Sequence, residues 1–493
     1  MSETTKKIFR ESAVSVLARG HGQSLELYWV KRSDAVTVQP GFHSFLGGKV
    51  DPEDAELPIA GDANDVTRAA AACAIRETLE EAGVLIGTTD PVAPETVREA
   101  RERLLAGGGH FPAMARELGL RFSMEHLVFA GRWKTPPFST VRFDTLYFLG
   151  RVPEGQRPEV HAAELAEGEW IRPAAALERW ERGEVTFVAP ILWTLRAAAA
   201  GEGDLAARLA QGPELHAHPV RRIEMKWGVV LHPMKTRPLP PADHTNAYLI
   251  GEREMILVDP GSGEPADLDE LFTLADLLGT EGRTVRWILA THHHPDHVGG
   301  IAACRERFGA EVVGHPRLAE FMTLDRALAD NEVLSLAPGA HDWRLRVLHT
   351  PGHTRDSVSL LHERTRSLFC GDLIPGGSGT VIIDPPDGDM GAYLKSLERL
   401  LQEPVETLFP AHGSPQGAAH RRVRALIAHR RGREEKVLAA LSSEPRAAED
   451  LVPVAYADTP RDLWSYAARS LLAHLIKLES EGRAVRVGDR WRA

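Results

Sequence analysis

Apolar and polar positions along this chain repeat with two periods, and the alternation between them marks out three blocks. The first block runs to about Ala200, where an alanine-rich helix ending in LRAAAA meets GEGD. Within it, Ala69 to Gly83 (AAAACAIRETLEEAG) has helical spacing, with Ala72, Ile75 and Leu79 on the side that can pack on a sheet. From Gly201 to about residue 219 the sequence is polar with Gly, Pro and His, and it reads as a linker. The second block opens at about Val220 with WGVVLHP. It alternates strand-like runs (MILVD, RWILA) with helical stretches such as ELFTLADLL, a pattern that predicts a layered α/β fold. The third block begins at about Arg430. Its helix, WSYAARSLLAHLIKLESEG, carries Leu471, Leu475 and Leu478 on one stripe, and Gly482 stops it before a short strand pair, AVRV-GD-RWR. The expected division is therefore 1–200, a linker at 201–219, 220–429 and 430–493.

Composition narrows the class. A length of 493 residues exceeds one ordinary core, so two or three domains are expected. Hydrophobic residues at 43% and charged residues at 26% fit a globular protein in water. The N-terminal MSETTKKIFRES has no apolar core of a signal peptide, and no run approaches a membrane span, so a cytoplasmic location is expected. Cys73, Cys304 and Cys370 are too scattered for a disulfide framework or a CxxC site. A net charge of −11 argues against a dedicated nucleic-acid binder.

The sequence ILATHHHPDHVGG carries the densest chemistry. His292 and His294 sit two apart, so both imidazoles can converge on one ion from an extended backbone. Asp296 and His297 can serve a second ion beside it. Three more ligand types follow on separate loops, each after an apolar strand-like run: His353 in TPGHT, Asp372 in FCGDL and His412 in FPAHGS. A sheet whose strand ends converge on one edge would gather them. Imidazole with carboxylate suits zinc better than magnesium or calcium.

This HxHxDH motif with its later His, Asp and His resembles the metallo-β-lactamase superfamily. The resemblance implies an αββα sandwich and two zinc ions. His292, His294 and His353 would hold the first, Asp296, His297 and His412 the second, and Asp372 would bridge them. It also implies that Asp296 orients a water whose pKa the metals lower from about 15.7 to about 7. A zinc β-lactamase usually has Cys where Asp372 stands and lacks the His297 position, so the pattern is nearer the thioesterase and nuclease branches. HTNAYLI (Thr245, Asn246, Tyr248), GGSGTVIID and the terminal helix resemble β-lactamase-like proteins that end in a winged helix, a group that includes a single-strand RNA endonuclease. The resemblance spans about Val229 to Arg483 and makes RNA a candidate substrate. A basic run supports it locally: Arg421, Arg422, Arg424, Arg430, Arg431 and Arg433, with His420 and His429. The competing reading is a solvated helix face, and no aromatic residues interleave to stack bases.

In the first block, Glu77, Glu80 and Glu81 fall at i, i+3 and i+4, so three carboxylates share one helix face. A hard divalent cation, magnesium or manganese, would relieve their repulsion. The run REx2EExG, with Gly47-Gly48 upstream, resembles the Nudix box, which implies an α/β/α fold, a metal site on those glutamates and cleavage of a nucleoside diphosphate derivative. Gly48 to Arg76 encloses 27 residues, a long insertion, and Asp54 stands where the box has Glu. The insertion resembles the coenzyme A diphosphatase branch, as does the spacing of Arg32-Ser33, Gly41, Phe45 and Gly47-Gly48, among which Arg32, Gly47 and Gly48 would contact substrate. Thr37 and Leu46 depart from that branch, and the lost Arg weakens phosphate pairing. Glu164 or Glu167 is a further candidate carboxylate. Two classes of function follow. In one, both domains are hydrolases, acting on an acyl thioester or phosphodiester and on a coenzyme A or nucleoside diphosphate compound. In the other, an RNA endonuclease carries a Nudix domain that only senses or binds a ligand.

Overall fold

The computed structural model describes residues 9–107, 110–136, 139, 141–201, 203–212, 222–238, 242–377 and 379–493. The chain divides into two compact units, Met1–Val230 and Leu231–Ala493.

The first unit is built on the strand Arg10–Arg19, which pairs in parallel with Phe143–Arg151 and antiparallel with Glu26–Arg32 and Leu46–Lys49. Its side chains alternate between two cores. Ala13 and Leu17 join a cluster with the helix Asp65–Ala82, while Val16 and Ala18 join Trp29, Trp180, Phe187 and Leu195 on the other face. Burial on both faces makes this an α/β/α layer, as the sequence predicts. The helix starts where the Asn64 side chain accepts from Thr67 N and ends at Gly83, whose φ of 66° suits the left-handed cap. Gly47 (φ 154°) has no room for a side chain: a Cβ there would meet the Ala13 carbonyl at 2.2 Å. The insertion between Gly48 and Arg76 contains a short 3-10 helix, Pro52–Glu56, and a strand, Ile59–Ala60, that pairs with Phe122–Ser123.

The expected linker proves structured at its start. Leu205–Ala210 is a helix, with Ala206 and Leu209 buried. Polar composition hid the apolar pair that seats it. Residues 213–221 of that segment lie outside the described residues.

In the second unit, one sheet orders Val229–Lys235, His244–Ile250, Glu254–Val258, Thr284–Leu289, Glu311–Gly314 and Arg326–Ala327. The other orders Val333–Leu336, Trp343–His349, Val358–His362, Ser367–Gly371 and Thr407–Pro410. Tyr248 of the first meets Phe369 and Phe409 of the second at 5.4 and 5.8 Å between ring centroids, so the sheets face each other. Helices flank them. Pro265–Thr280 buries Leu271, Leu274 and Leu278, and Met390–Leu400 and Ala419–Ala440 cover the second sheet. The result is the αββα sandwich.

The helix Ala419–Ala440 runs without a break through residue 430, so the expected boundary there cuts a continuous element. Its C-terminal end shares a core with the winged-helix unit, where Val437, Leu451, Leu471, Leu475, Leu478 and Trp491 pack together. The helix Trp464–Ser480 and the strands Val485–Val487 and Arg490–Arg492 form as the spacing predicts. Among the described residues no helix is long and apolar enough to cross a membrane.

Leu475 is completely buried in this small core. Leu475→Ala should cost about 2–5 kcal/mol of local stability. Hydrogen exchange should show faster opening of Trp464–Ser480, with the amides of Arg10–Arg19 unaffected.

Candidate active sites

Seven of the sequence-predicted side chains come together at one edge of the sandwich. The strand Thr284–Leu289 ends in the loop bearing His292 and His294, and the short helix Pro295–Val298 carries Asp296 and His297. His353 follows Trp343–His349, Asp372 follows Ser367–Gly371, and His412 follows Thr407–Pro410. Gly299 and Gly300 allow the loop at 260–262 to press against this turn: a Cβ on Gly300 would meet Pro260 O at 2.7 Å.

Among the described residues four groups of ligand atoms lie within 4.8 Å: His292, His294 and His353; Asp296, His297 and His412; His292, His297 and Asp372, which joins those two; and His293, His294 and Asp387 beside them. Asp372 lies between the first two. Its Oδ2 is 3.6 Å from His353 Nε2, and its Oδ1 is 3.6 Å from His297 Nε2 and 3.4 Å from His412 Nε2.

Hydrogen bonds behind the site fix each imidazole. His353 Nδ1 donates to Ile382 O at 2.8 Å and His412 Nδ1 to His244 O at 2.9 Å. His297 Nδ1 donates to Asp259 at 3.0 Å. The Thr291 hydroxyl donates to Asp259, so its oxygen accepts from His292 Nδ1 at 3.1 Å. In each of these four rings Nδ1 is taken up by that bond, which leaves Nε2 facing inward. His294 contributes Nδ1, 3.0 Å from both His292 Nε2 and His353 Nε2. A proton on His294 Nδ1 can be shared with both partners, and an ion in its place would take all three nitrogens as donors. His297 Nε2 is buried with no hydrogen-bond partner, as a ligand atom would be.

The electrostatics agree. Burial, reinforced by the neighbouring imidazoles, holds His292 far below the usual range and brings His294 to about 4, so both stay neutral and able to coordinate. Burial alone would lower His297 too, but Asp259 and Asp372 outweigh it and raise it well above the ordinary value. The second group thus sits in a field that draws positive charge.

Sequence reasoning missed Asp259. It is buried, has a φ of 49°, and accepts from Thr291 N and Thr291 Oγ1 at 2.7 Å each while holding His297. The signal was VDPG at a strand end, an acidic residue where the chain must turn. Asn246 and Tyr248 were noted only as points of resemblance. Asn246 Nδ2 donates to Pro410 O and Gly413 O, and Tyr248 donates to Pro410 O, so together they fix the His412 loop.

In the first unit, Glu77 and Glu81 sit against the Gly47-Gly48 pair. Gly47 N donates to Glu81 at 2.8 Å, and a Cβ on Gly48 would strike the Glu77 carboxylate. Arg76 donates to Glu77 at 2.8 Å and Glu80 at 3.3 Å, and holds the buried Asp54 through two bonds of 2.9 Å. These partners spread the three glutamates: among the described residues, the groups of ligand atoms gathered within 4.8 Å all lie in the second unit. Burial pushes Glu77 up to about 7 and Glu81 up to about 8, with the other carboxylates adding to it. Both candidates for a further carboxylate are exposed: Glu164 adds its charge to all three glutamates, and Glu167 lies 3.8 Å from Lys31. Arg32 donates to Val38 O at 3.0 Å and lowers Glu81 by its charge.

The basic run of the second unit is not one solvated stripe. Arg430 and Arg433 are buried, donating to Val381 O and Ala455 O, and Arg422 donates to Gly379 O. Arg431 pairs with Glu398 at 2.6 Å. Helical periodicity turns alternate arginines inward, which a count of charges along the sequence does not reveal. Arg421 and Arg424 remain on the exposed side.

Comparisons with known proteins identify the domains. Residues 240–412 match the metallo-beta-lactamase superfamily, 447–491 the beta-lactamase associated winged helix domain and 56–197 the NUDT19 Nudix domain. The chain belongs to the metallo-beta-lactamase superfamily, joined to a Nudix domain, and is a metal-dependent hydrolase. It is 35% identical over 255 residues to a beta-lactamase-like protein 2 homolog of Drosophila melanogaster, covering 48% of this chain and 83% of that protein. It is 36% identical over 122 residues to a hydroxyacylglutathione hydrolase of Bradyrhizobium sp. (strain ORS 278), covering 24% of this chain and 46% of that one. A solved NUDIX hydrolase from Alicyclobacillus acidocaldarius is 33% identical, covering 40% of this chain and 93% of that one, with a TM-score of 0.36.

The raised Glu77 and Glu81 set the pH response of the metal-free first unit. The folded state binds more protons than the unfolded state between the ordinary glutamate value and about 8. Stability must therefore rise as pH falls from about 8 toward 5. Thermal melts in chelator should show this, and Glu77→Gln with Glu81→Gln should flatten the slope.

Proposed function

We propose that the second unit is a dinuclear zinc hydrolase of small acyl thioesters, and that the first is a magnesium- or manganese-dependent diphosphatase of a coenzyme A or nucleoside diphosphate compound. The observation that carries the first assignment is the set of inward-facing nitrogens of five imidazoles around Asp372. Nitrogen and carboxylate donors fit zinc, and His297 Nε2, buried without a partner, fits a ligand atom. When bound, the ions would acidify a water and offset the charge of the developing oxyanion. Asp296 has one oxygen 3.4 Å from His412 Nε2 and is 22% exposed, so it can orient that water and take its proton. Asp259, Ile382 O and His244 O keep the imidazoles turned inward throughout.

Similarity to hydroxyacylglutathione hydrolases favours thioester over phosphodiester chemistry. The inward-turned arginines favour it too, since they leave a smaller basic surface for an RNA backbone. In the first unit, burial first and the neighbouring carboxylates second raise Glu77 and Glu81, and a divalent cation would offset both costs. Glu80 and Glu164 would complete its oxygen donors, and Arg32 is placed to face a substrate phosphate.

His292→Ala combined with His294→Ala should remove metal from the second unit and cut hydrolysis of acyl glutathione and acyl coenzyme A thioesters by more than about 100-fold. Elemental analysis and thiol release measure the two effects. An unchanged rate in the double variant contradicts the assignment. Glu80→Gln or Glu81→Gln should abolish magnesium-dependent pyrophosphate cleavage and leave thioester hydrolysis intact. If no coenzyme A or nucleoside diphosphate compound is cleaved with either metal, the first unit is a binding module.

A further inference from the structure

The proposed metal centre depends on one ring whose support comes from far along the chain. His353 is oriented by a single backbone carbonyl, Ile382 O, at 2.8 Å. That carbonyl lies in the segment 379–384, which belongs to no helix or strand and so has no ladder of its own. Its geometry is set by side chains from two helices. Arg422 and Arg430 of Ala419–Ala440 donate to Gly379 O and Val381 O. From the winged-helix unit, Ser470 accepts from Ile383 N at 3.4 Å, and Arg469 pairs with Asp384 at 3.1 Å. Ile382 is thus bracketed on both sides, by Arg430 one residue before it and Ser470 one residue after.

Burial shows how much is invested in this clamp. Arg430 is only 3% exposed and Ser470 only 5%. Burying a guanidinium costs several kcal/mol unless it is well paired, and here one charge-assisted bond reaches a carbonyl while the guanidinium lies 5.3 Å from the Tyr393 ring. Tyr393 in turn packs on Gly352, the residue before His353, where a Cβ would clash at 2.3 Å. Arg430 therefore lies near both ends of the His353 support: it bonds the carbonyl's neighbour on one side and faces the ring of Tyr393, whose backbone packs on Gly352, on the other.

We propose that Arg430, seconded by Ser470 of the winged-helix unit, is a positioning residue for His353, so that the C-terminal unit tunes the affinity of the ion held by His292, His294 and His353. This rests on the dinuclear reading above. Outer partners of metal-bound histidines typically contribute about 10–100-fold in affinity.

The test uses the full-length chain, zinc, and competition against a chromophoric chelator, which resolves the two ions as separate steps. Arg430→Met keeps the length and the packing on Tyr393 but loses the bond. It should weaken one ion by about 10–100-fold and leave the other unchanged. Arg430→Lys, which can still donate, should recover part of the loss, and Ser470→Ala should give a smaller loss at the same ion. His353→Ala should weaken that same ion, and adding Arg430→Met to it should cost nothing further, because the two residues act through one ring. Unchanged affinity in Arg430→Met, equal loss at both ions, or additive losses in the double variant overturns the proposal. Should Arg430→Met fail to fold, Ser470→Ala decides: no change at either ion rejects it. A wild-type chain that binds no metal would instead remove the dinuclear reading itself.

Discussion

Three imidazole nitrogens, from His292, His294 and His353, meet at 3.0 Å contacts inside a buried edge of the second unit, and the surrounding architecture serves that juxtaposition. Either a proton shared through His294 Nδ1 or an ion taking all three nitrogens as donors can hold the rings together at that distance. Two strands of one sheet and three of the other end at this edge, and the facing aromatic rings of Tyr248, Phe369 and Phe409 fix the sheets in register behind it. The hydrogen bonds that orient four of the rings come from Asp259, Ile382 O, His244 O and Thr291. The site is preorganised before any ligand arrives, which is what electrostatic catalysis requires.

The first unit manages a different crowding. Its carboxylates lie on one helix, so their spacing is fixed by the helical turn and cannot relax. Arg76 takes up part of the repulsion through Glu77, Glu80 and Asp54, and the Gly47 amide takes up part through Glu81. Burial, with the neighbouring carboxylates adding to it, still raises Glu77 to about 7 and Glu81 to about 8. Asp54, in the position where the related box has Glu, works as the bidentate partner of Arg76. The long insertion brings it there.

Much of this was legible in the sequence, for a physical reason: metal ligands must sit at strand ends, and apolar strands announce themselves. RLRVLH, SLFC and ETLF lead into His353, Asp372 and His412 as expected. The α/β alternation and the terminal helix with its Leu471, Leu475 and Leu478 stripe were likewise readable, since both rest on local periodicity. What stayed hidden depends on distant pairing. Asp259 looks like an ordinary turn residue until the fold sets it against His297, and the run at 159–161 shows its place along the glutamate helix only through the bonds of Glu159 N to Ala82 O and His161 N to Glu81 O. The arginines of Ala419–Ala440 read as a basic surface because a charge count carries no inside or outside. The helix at Leu205–Ala210 was lost in polar composition, since two buried side chains suffice to seat it.

X-ray absorption at the zinc edge of the full-length, zinc-loaded chain tests the central claim most directly. The account predicts nitrogen and oxygen scatterers alone at about 2.0–2.2 Å, with no sulfur shell, because Cys370 is buried and donates to backbone carbonyls. It also predicts a metal–metal vector of about 3.5–4 Å, as two ions sharing Asp372 require. A sulfur shell, or zinc-loaded protein with no metal–metal vector, would contradict it.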